Sequence, residues 1–374
     1  MPVYLDYCAS TPIDERVLQV MIDTYRNVPG NADSRTHLFG TKAKEVVANS
    51  RRTIAKTLDV DPTEVIFTSG ATESDNLAIL GLANHGMCTN RRHIVSTAFE
   101  HKAVMEPLRA MEARGFEVDY IQPDSDGIVS SAAVLSKVRS DTLLVSVMHV
   151  NNELGTIQPI AEIGAELSRR DILFHIDAAQ SYGKLNQELR TTPYDLLSIS
   201  AHKIHGPQGI GALVMRRKRY KRPPIEAILT GGQQEYGYRP GTTPVALVAG
   251  FAKAAELAEQ EYNEHKHAFL QTKQQLLQAL QPHGVIVNGS IENTLPNILN
   301  ISIPGIDAEA LFAALKDEYA ISNGSACTSG SYAPSYVLKA CGYSDERIAE
   351  ALRISWWLEP FSILPLLTYV NELQ

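Results

Sequence analysis

Three short segments place residues with usable chemistry directly after apolar runs. The first is Thr68-Ser69-Gly70-Ala71-Thr72-Glu73-Ser74. A glycine turn opening a helix leaves the N–H groups of Gly70, Ala71 and Thr72 unpaired, and the helix dipole favours an anion there. With the Thr72 hydroxyl added, the turn suits a single phosphate; simple capping of a helix is the plainer use of the same residues. The sequence lacks Gly-x-x-x-x-Gly-Lys, so this is not a nucleotide P-loop. The second is Asp177 in His175-Ile176-Asp177-Ala178-Ala179-Gln180. A carboxylate at the end of a buried strand is costly unless paired, and a protonated ring nitrogen is one fitting partner. Capping a helix is the alternative, and Gln180 could bond a ring oxygen. The third is Ser200-Ala201-His202-Lys203-Ile204-His205-Gly206-Pro207. A lysine held on a Gly-Pro turn can form a Schiff base with an aldehyde, although a lone lysine is usually just solvated. Ser200 and His202 are close enough in sequence to help hold a phosphate.

Lys203 stands 26 residues beyond Asp177, across a single strand. That spacing predicts one site for a phosphorylated, aldehyde-bearing pyridine. His101, in Phe99-Glu100-His101-Lys102, follows another strand. Its imidazole could stack on such a ring and move protons near neutral pH, or be an ordinary polar residue.

The elements that must position these residues follow from periodicity. Val65–Thr68, His93–Ser96, Phe116–Ile121, Leu143–Met148, Ile172–Ile176, Leu196–Ser200 and Gly211–Met215 read as strands. Glu73–Leu82, His101–Arg114 (with Gly115 as its cap) and Ile160–Arg170 read as helices. Leu143–Met148 lacks polar alternation, as expected for a strand covered on both faces. The succession predicts an α/β fold with a mostly parallel, seven-stranded sheet and helices on both faces. Ligands in such sheets bind beyond the carboxyl ends of the strands, where all three segments fall. After Thr242 the pattern changes. Val245–Leu280 reads as one or two long helices, interrupted only by Gly250. Strands at Val285–Val287 and Ile298–Ile303, and helices at Ala308–Lys316, Pro334–Cys341 and Asp345–Leu352, read as a smaller α+β unit. We expect a large domain over residues 14–250 and a small one from residues 1–13 and 251–374.

The chain has 374 residues, 44% of them hydrophobic and 20% charged, which suits two globular domains. A formal net charge of −8 argues against direct nucleic-acid binding or an anionic membrane. The basic run from Arg216 to Arg222 reads as a solvated turn, with a docking patch for an acidic partner as the alternative. No apolar run of about 18 residues is present and no secretory signal opens the chain. The four cysteines, Cys8, Cys88, Cys327 and Cys341, form no Cys-x-x-Cys pair, which argues against a zinc site and for free thiols in a reducing, cytoplasmic setting.

The runs Gly70-Ala71-Thr72-Glu73-Ser74-Asp75-Asn76, Glu100-His101-Lys102, Val150-Asn151-Asn152-Glu153-Leu154-Gly155, Asp177-Ala178-Ala179-Gln180, Ala201-His202-Lys203 and Gly324-Ser325-Ala326-Cys327 together resemble the cysteine desulfurases. These are fold-type I pyridoxal-phosphate enzymes of the class V aminotransferase branch. The likeness extends from Tyr4-Leu5-Asp6-Tyr7 to Arg353-Ile354-Ser355. It implies that Lys203 carries pyridoxal 5'-phosphate, that Asp177 meets its ring nitrogen and Gln180 its phenolic oxygen, and that His101 stacks on it. It further implies that Ala71, Thr72, Ser200 and His202 hold the phosphate, helped by Thr242 from the other subunit of a homodimer. Asn152 and Arg353 would hold the carboxylate of L-cysteine. Cys327, in a Gly/Ser-rich segment like that of the long-cysteine-loop group, would take the sulfur as a persulfide for acceptor proteins in iron–sulfur assembly, tRNA thiolation or DNA phosphorothioation. Read alone, Cys327 could be an inert buried thiol. A selenocysteine lyase, an aminotransferase or a non-catalytic sulfur-transfer scaffold are the competing activities.

The chain departs from that pattern at Asn31-Ala32, at Pro240 and at Ser355-Trp356-Trp357-Leu358. The paired tryptophans could wall a pocket or a partner surface, or fill a core.

Overall fold

The computed structural model describes residues 2–218, 220–324 and 334–373. Its centre is a seven-stranded sheet of β1 (Val65–Thr68), β2 (His93–Thr97), β3 (Glu117–Ile121), β4 (Thr142–Met148), β5 (Leu173–Asp177), β6 (Leu196–Ser200) and β7 (Gly211–Met215), in the spatial order β1-β7-β6-β5-β4-β2-β3. All direct pairings are parallel except those of β7, which runs antiparallel to β1 and β6. β1 therefore points the same way as the parallel strands, and their carboxyl ends share one rim. Apart from the edge strand β3, the strands are buried on both faces because neighbouring residues serve different cores. Phe67, Val95, Val145, Leu197 and Ala212 enter one cluster. Ile66, Ile94, Leu144, Leu196 and Leu213 enter the other. This two-sided burial explains the lack of polar alternation.

Helices Lys102–Glu112 and Ile160–Leu167 lie where the sequence places them, trimmed at their ends, and the first helix, Ala71–Leu80, starts and ends two residues earlier than expected. Gly115, at φ +84°, turns the chain just past Lys102–Glu112. Val245–Leu280 is one continuous helix of 36 residues. Gly250 does not break it. A Cβ there would lie 2.7 Å from Met21 Cγ, so the glycine lets this helix approach helix Glu15–Asn27.

The same long helix serves two cores. Val248 to Leu257 pack against the large sheet, and Tyr262, Phe269, Leu276 and Leu280 pack in a separate cluster. That second cluster covers a small antiparallel sheet of β8 (Ile286–Val287), β9 (Ile298–Ser302) and β10 (Ala351–Ser355), with β9 central. The N-terminus joins it through Leu5 and a short parallel pairing of Val3–Tyr4 with Tyr319–Ala320. We propose that these two cores mark the two domains. One expectation is corrected here. The helix read over Asp345–Leu352 ends at Ala349, and Leu352 lies in β10. Five residues of ladder against β9 outweigh the helical propensity of that stretch.

The β1 edge is sealed by a side chain. Glu235 accepts from Phe67 N at 2.9 Å and pairs with Arg51 at 2.6 and 2.7 Å. Both side chains are at most 10% exposed. Glu235→Ala would leave Arg51 buried and uncompensated, and we expect a loss of about 3–5 kcal/mol of stability, read from the denaturant midpoint.

Candidate active site

Every parallel strand that ends at the shared rim, other than β3, contributes to one cleft of about 450 Å³. Ala71, Thr72, His101, Asn152, Asp177, Gln180, Ser200, His202, Lys203 and Arg353 all line it. These are ten of the twelve residues expected at the site. Thr242 is exposed and does not reach this cleft in its own chain. Cys327 lies outside the described residues; Gly324, three residues before it, lines the cleft.

The phosphate corner depends on sheet register. Gly211 pairs with both Thr68 and Ser200, bringing the turn after β1 against the end of β6. A Cβ on Gly211 would fall 2.7 Å from Gly70 Cα, so only glycine allows the approach. Helix Ala71–Leu80 starts at Gly70 with no side chain capping it. Ser200 Oγ is buried beside it with no hydrogen-bond partner among the described residues. An uncapped helix start and an unspent buried hydroxyl fit a phosphate.

Asp177 ends β5 and is 6% exposed. Its Oδ1 accepts from Ala179 N at 2.8 Å. Burial, reinforced by the nearby charge of Asp75, pushes its carboxyl up to about 6. A cationic ring nitrogen would supply the missing partner. His101 caps helix Lys102–Glu112 by accepting from Ala103 N at its Nδ1, 3.1 Å away. Nε2 is then the ring atom left for the cleft. Burial, with help from Lys203, holds this imidazole below its ordinary value against the pull of Asp177. Lys203 sits on the turn Ala201–Lys203 after β6, its Nζ donating to the carbonyls of Cys8 and, at 2.9 Å, Ala9. Gln180 donates Nε2 to Cys8 O at 2.9 Å, and its Oε1 has no partner among the described residues. These donors, acceptors and charges fit pyridoxal phosphate.

The other end of the cleft is set by Asn151 and Arg353. Asn151 Oδ1 accepts from Glu153 N and Leu154 N at 2.8 and 2.9 Å, fixing the turn that carries Asn152. Arg353, on β10 and 3% exposed, donates to Asn152 O at 2.7 Å, Asp6 Oδ1 at 2.5 Å and Ser322 Oγ at 3.1 Å. Its Nε and Asn152 Oδ1 are buried and have no hydrogen-bond partner among the described residues. A bidentate grip on a carboxylate therefore requires Asp6 or Ser322 to yield a donor.

Sequence reasoning missed several wall residues. Cys8, Ala9 and Ser10 come from the N-terminal segment and Asp75 from inside helix Ala71–Leu80. Asp75 belongs to a motif already singled out, but nothing in the sequence says that it faces the cleft. It is 0% exposed and neither oxygen makes a well-formed hydrogen bond; His175 Nε2 stands 3.4 Å away. Burial pushes it up to about 8, with Ser198 opposing. A carboxyl raised in the folded state adds stability that is complete below its unfolded value, about 3.9, and is lost as pH rises through the folded one. We expect cofactor-free Asp75→Asn to lose less thermal stability than wild type between about pH 6 and about pH 9. Equal losses in parallel melts would contradict this.

Of the other cysteines, Cys8 and Cys341 are buried free thiols and Cys88 is an exposed one. Burial pushes Cys341 up to about 12, which makes it a poor nucleophile. Among the described residues no cluster of His, Cys, Asp and Glu could hold a metal, and no helix is long and apolar enough to cross a membrane.

Comparison with known proteins agrees with this geometry. Residues 3–358 match the family described as aminotransferase class-V. The cysteine desulfurase IscS of Stutzerimonas stutzeri is 46% identical over 359 residues, which is 95% of this chain and 88% of that protein. The structure of a NifS-like protein superposes with a TM-score of 0.90 at 34% identity, covering 100% of this chain and 98% of the other. That of DndA from Streptomyces lividans gives 0.83 at 45% identity, covering 95% and 99%. The chain belongs to the class-V aminotransferase family and, within it, to the pyridoxal-phosphate-dependent cysteine desulfurases.

Proposed function

We infer that this protein converts L-cysteine to L-alanine, moves the sulfur to Cys327 as a persulfide, and passes it to an acceptor protein. The observation that carries this reading is the single cleft joining Lys203, Asp177 and His101 to the Asn152–Arg353 end. Pyridoxal phosphate, when bound, supplies an electron sink for the charge that builds at the substrate's Cα.

Lys203 would hold the cofactor's aldehyde carbon, with Asp177 against the ring nitrogen. Ser200, His202, Thr72 and the N–H groups at Gly70–Thr72 would hold the phosphate. Arg353 and Asn152 orient cysteine by its carboxylate. The Lys203 amine takes the proton from Cα. His101 Nε2 is placed to hold or return a proton on the cleft side. The Cys327 thiolate attacks the substrate sulfur, so an S–S bond forms as the Cβ–S bond breaks. Cβ then takes a proton to become a methyl group, the proton held at Lys203 returns to Cα, and alanine leaves.

Thr242, exposed and outside its own chain's cleft, is available to a neighbouring subunit. This supports a homodimer in which each subunit completes the other's phosphate corner. We place the enzyme in the cytoplasm, serving iron–sulfur assembly, tRNA thiolation or DNA phosphorothioation. The test supplies purified holoenzyme with L-cysteine and a thiol reductant. Alanine and sulfide should form in equal amounts. Transamination products, or turnover of selenocysteine alone, would overturn the reading.

A further inference from the structure

The second tryptophan of the Trp356-Trp357 pair leads to a part of the site that the mechanism does not use. Trp356 is 1% exposed and fills the smaller core. Trp357 instead lies over His205, with ring centroids 4.4 Å apart. It is backed by Phe269 at 4.9 Å, His265 at 5.7 Å and Tyr262 at 6.3 Å. With His205, Lys184 and Tyr262 it lines a cavity of about 60 Å³ that also touches Lys203. That volume admits a few waters but no cofactor. Lys203 thus lines both the main cleft and a small chamber that Trp357 also lines.

His205 is two residues beyond Lys203 and takes φ +62°. Left-handed backbone at a side chain of this size persists only where its surroundings enforce it. Here they do so from several sides. His205 N donates to Thr11 Oγ1 at 2.7 Å, and its carbonyl accepts from Asp14 N at 3.0 Å. Its Nδ1 lies 3.0 Å from Pro12 O. A carbonyl can only accept, so Nδ1 carries the proton and Nε2, buried and unpartnered, is bare. Tyr7 packs on the same imidazole at 5.9 Å. The polar contacts fix the edges of the ring, and Trp357 packs against it with the two ring planes tilted by 52°.

We propose that Trp357 and His205 form a positioning pair that holds the Lys203 turn in register with the cleft. The proposal rests on the reading of Lys203 as the cofactor-bearing lysine. Trp357 connects the rings of the smaller core to the turn after β6, so the core that supplies Arg353 also braces Lys203. Burial pushes His205 down to about 4, so the brace adds no charge beside the lysine. Without the Trp357 ring, the His205 imidazole loses its packing and the Lys203 turn loses its brace against the smaller core.

The test compares holoenzymes of wild type, Trp357→Ala, Trp357→Phe, His205→Gln and Leu366→Ala. Leu366 is buried in the same smaller core but lies on helix Leu364–Leu373 and lines neither the cleft nor the small chamber. The readouts are the pH titration of the cofactor's visible absorbance, kcat and KM for cysteine, and Tm. Trp357→Ala and His205→Gln should shift the titration midpoint by about 0.5–1 unit and lower kcat about 10- to 100-fold, with KM nearly unchanged. Trp357→Phe should restore most of both. Leu366→Ala should lower Tm and move neither. A Trp357→Ala enzyme that loses only Tm, or a Trp357→Phe enzyme no better than Trp357→Ala, overturns the proposal. Should Trp357→Ala fail to fold, His205→Gln and Trp357→Phe still decide it. Borohydride reduction of wild type followed by peptide mass analysis separates the two readings. Cofactor found elsewhere than on Lys203 defeats the functional assignment, whereas cofactor on Lys203 with unmoved variants defeats the positioning pair alone.

Discussion

Lys203→Ala is expected to abolish turnover, by about four orders of magnitude or more, as is usual when a covalent catalytic group is removed. The lysine has two tasks in this account, holding the cofactor's aldehyde carbon and taking the proton from Cα. No neighbour can take over both. His101 is half-buried, its imidazole is held below its ordinary value, and its Nδ1 is committed to Ala103 N. Lys184 lines the small chamber and not the main cleft. The phosphate corner does not involve the Lys203 amine, so the variant should still bind pyridoxal phosphate non-covalently. Its absorbance should be that of free aldehyde, and borohydride should leave no cofactor on the protein. Residual activity above about one part in a hundred would mean that another base does the chemistry.

Arg353→Ala should be nearly as severe, for a different reason. Its guanidinium neutralises Asp6, supports the Asn152 carbonyl and, in the proposed reading, receives the substrate carboxylate. Removing one partner of a buried, hydrogen-bonded charge pair costs about 2–5 kcal/mol, so kcat/KM should fall about 30- to several-thousand-fold. Asp6, left facing a cavity, should also lower Tm. Arg353→Lys should not rescue, because an ammonium cannot span Asp6, Ser322 and Asn152 O together. Asp6→Asn separates the two effects. It removes the charge that holds one Arg353 donor and leaves only a neutral acceptor, so KM for cysteine should fall or hold even as stability drops. A rise in KM equal to that of Arg353→Ala would show that Asp6 itself contacts substrate.

Much of the site was legible because its chemistry sits at strand ends. Asp177, Lys203 and His101 each follow an apolar run, and a parallel sheet brings such ends to one rim. The β7 reversal did not disturb this, since β1 still points with β6. What was not legible depends on distant parts of the chain. Asp6 reaches Arg353 across almost the whole sequence, Cys8 and Ala9 reach Lys203 across about half of it, and no local pattern marks them. The burial of Asp75 follows from which face of helix Ala71–Leu80 lies against β5 and β6, and that helix has too little amphipathic contrast to reveal it. The strand Ala351–Ser355 was hidden for a similar reason. Asp-Glu-Arg-Ile-Ala-Glu-Ala-Leu is a good helical stretch, and only the β9 partner turns its end into a ladder. Trp357 could be flagged but not placed, because its partners His205 and Phe269 come from two other segments.

The most direct test of the central claim is mass spectrometry of the intact protein after a single turnover with L-cysteine, run beside Cys327→Ser. The account predicts one added sulfur on wild type, mapped to Cys327 in the digest and matched by one alanine released per active site. The variant should gain no sulfur and release no alanine. Alanine release that survives Cys327→Ser would contradict the account, because the carbon–sulfur bond would then break without that thiolate.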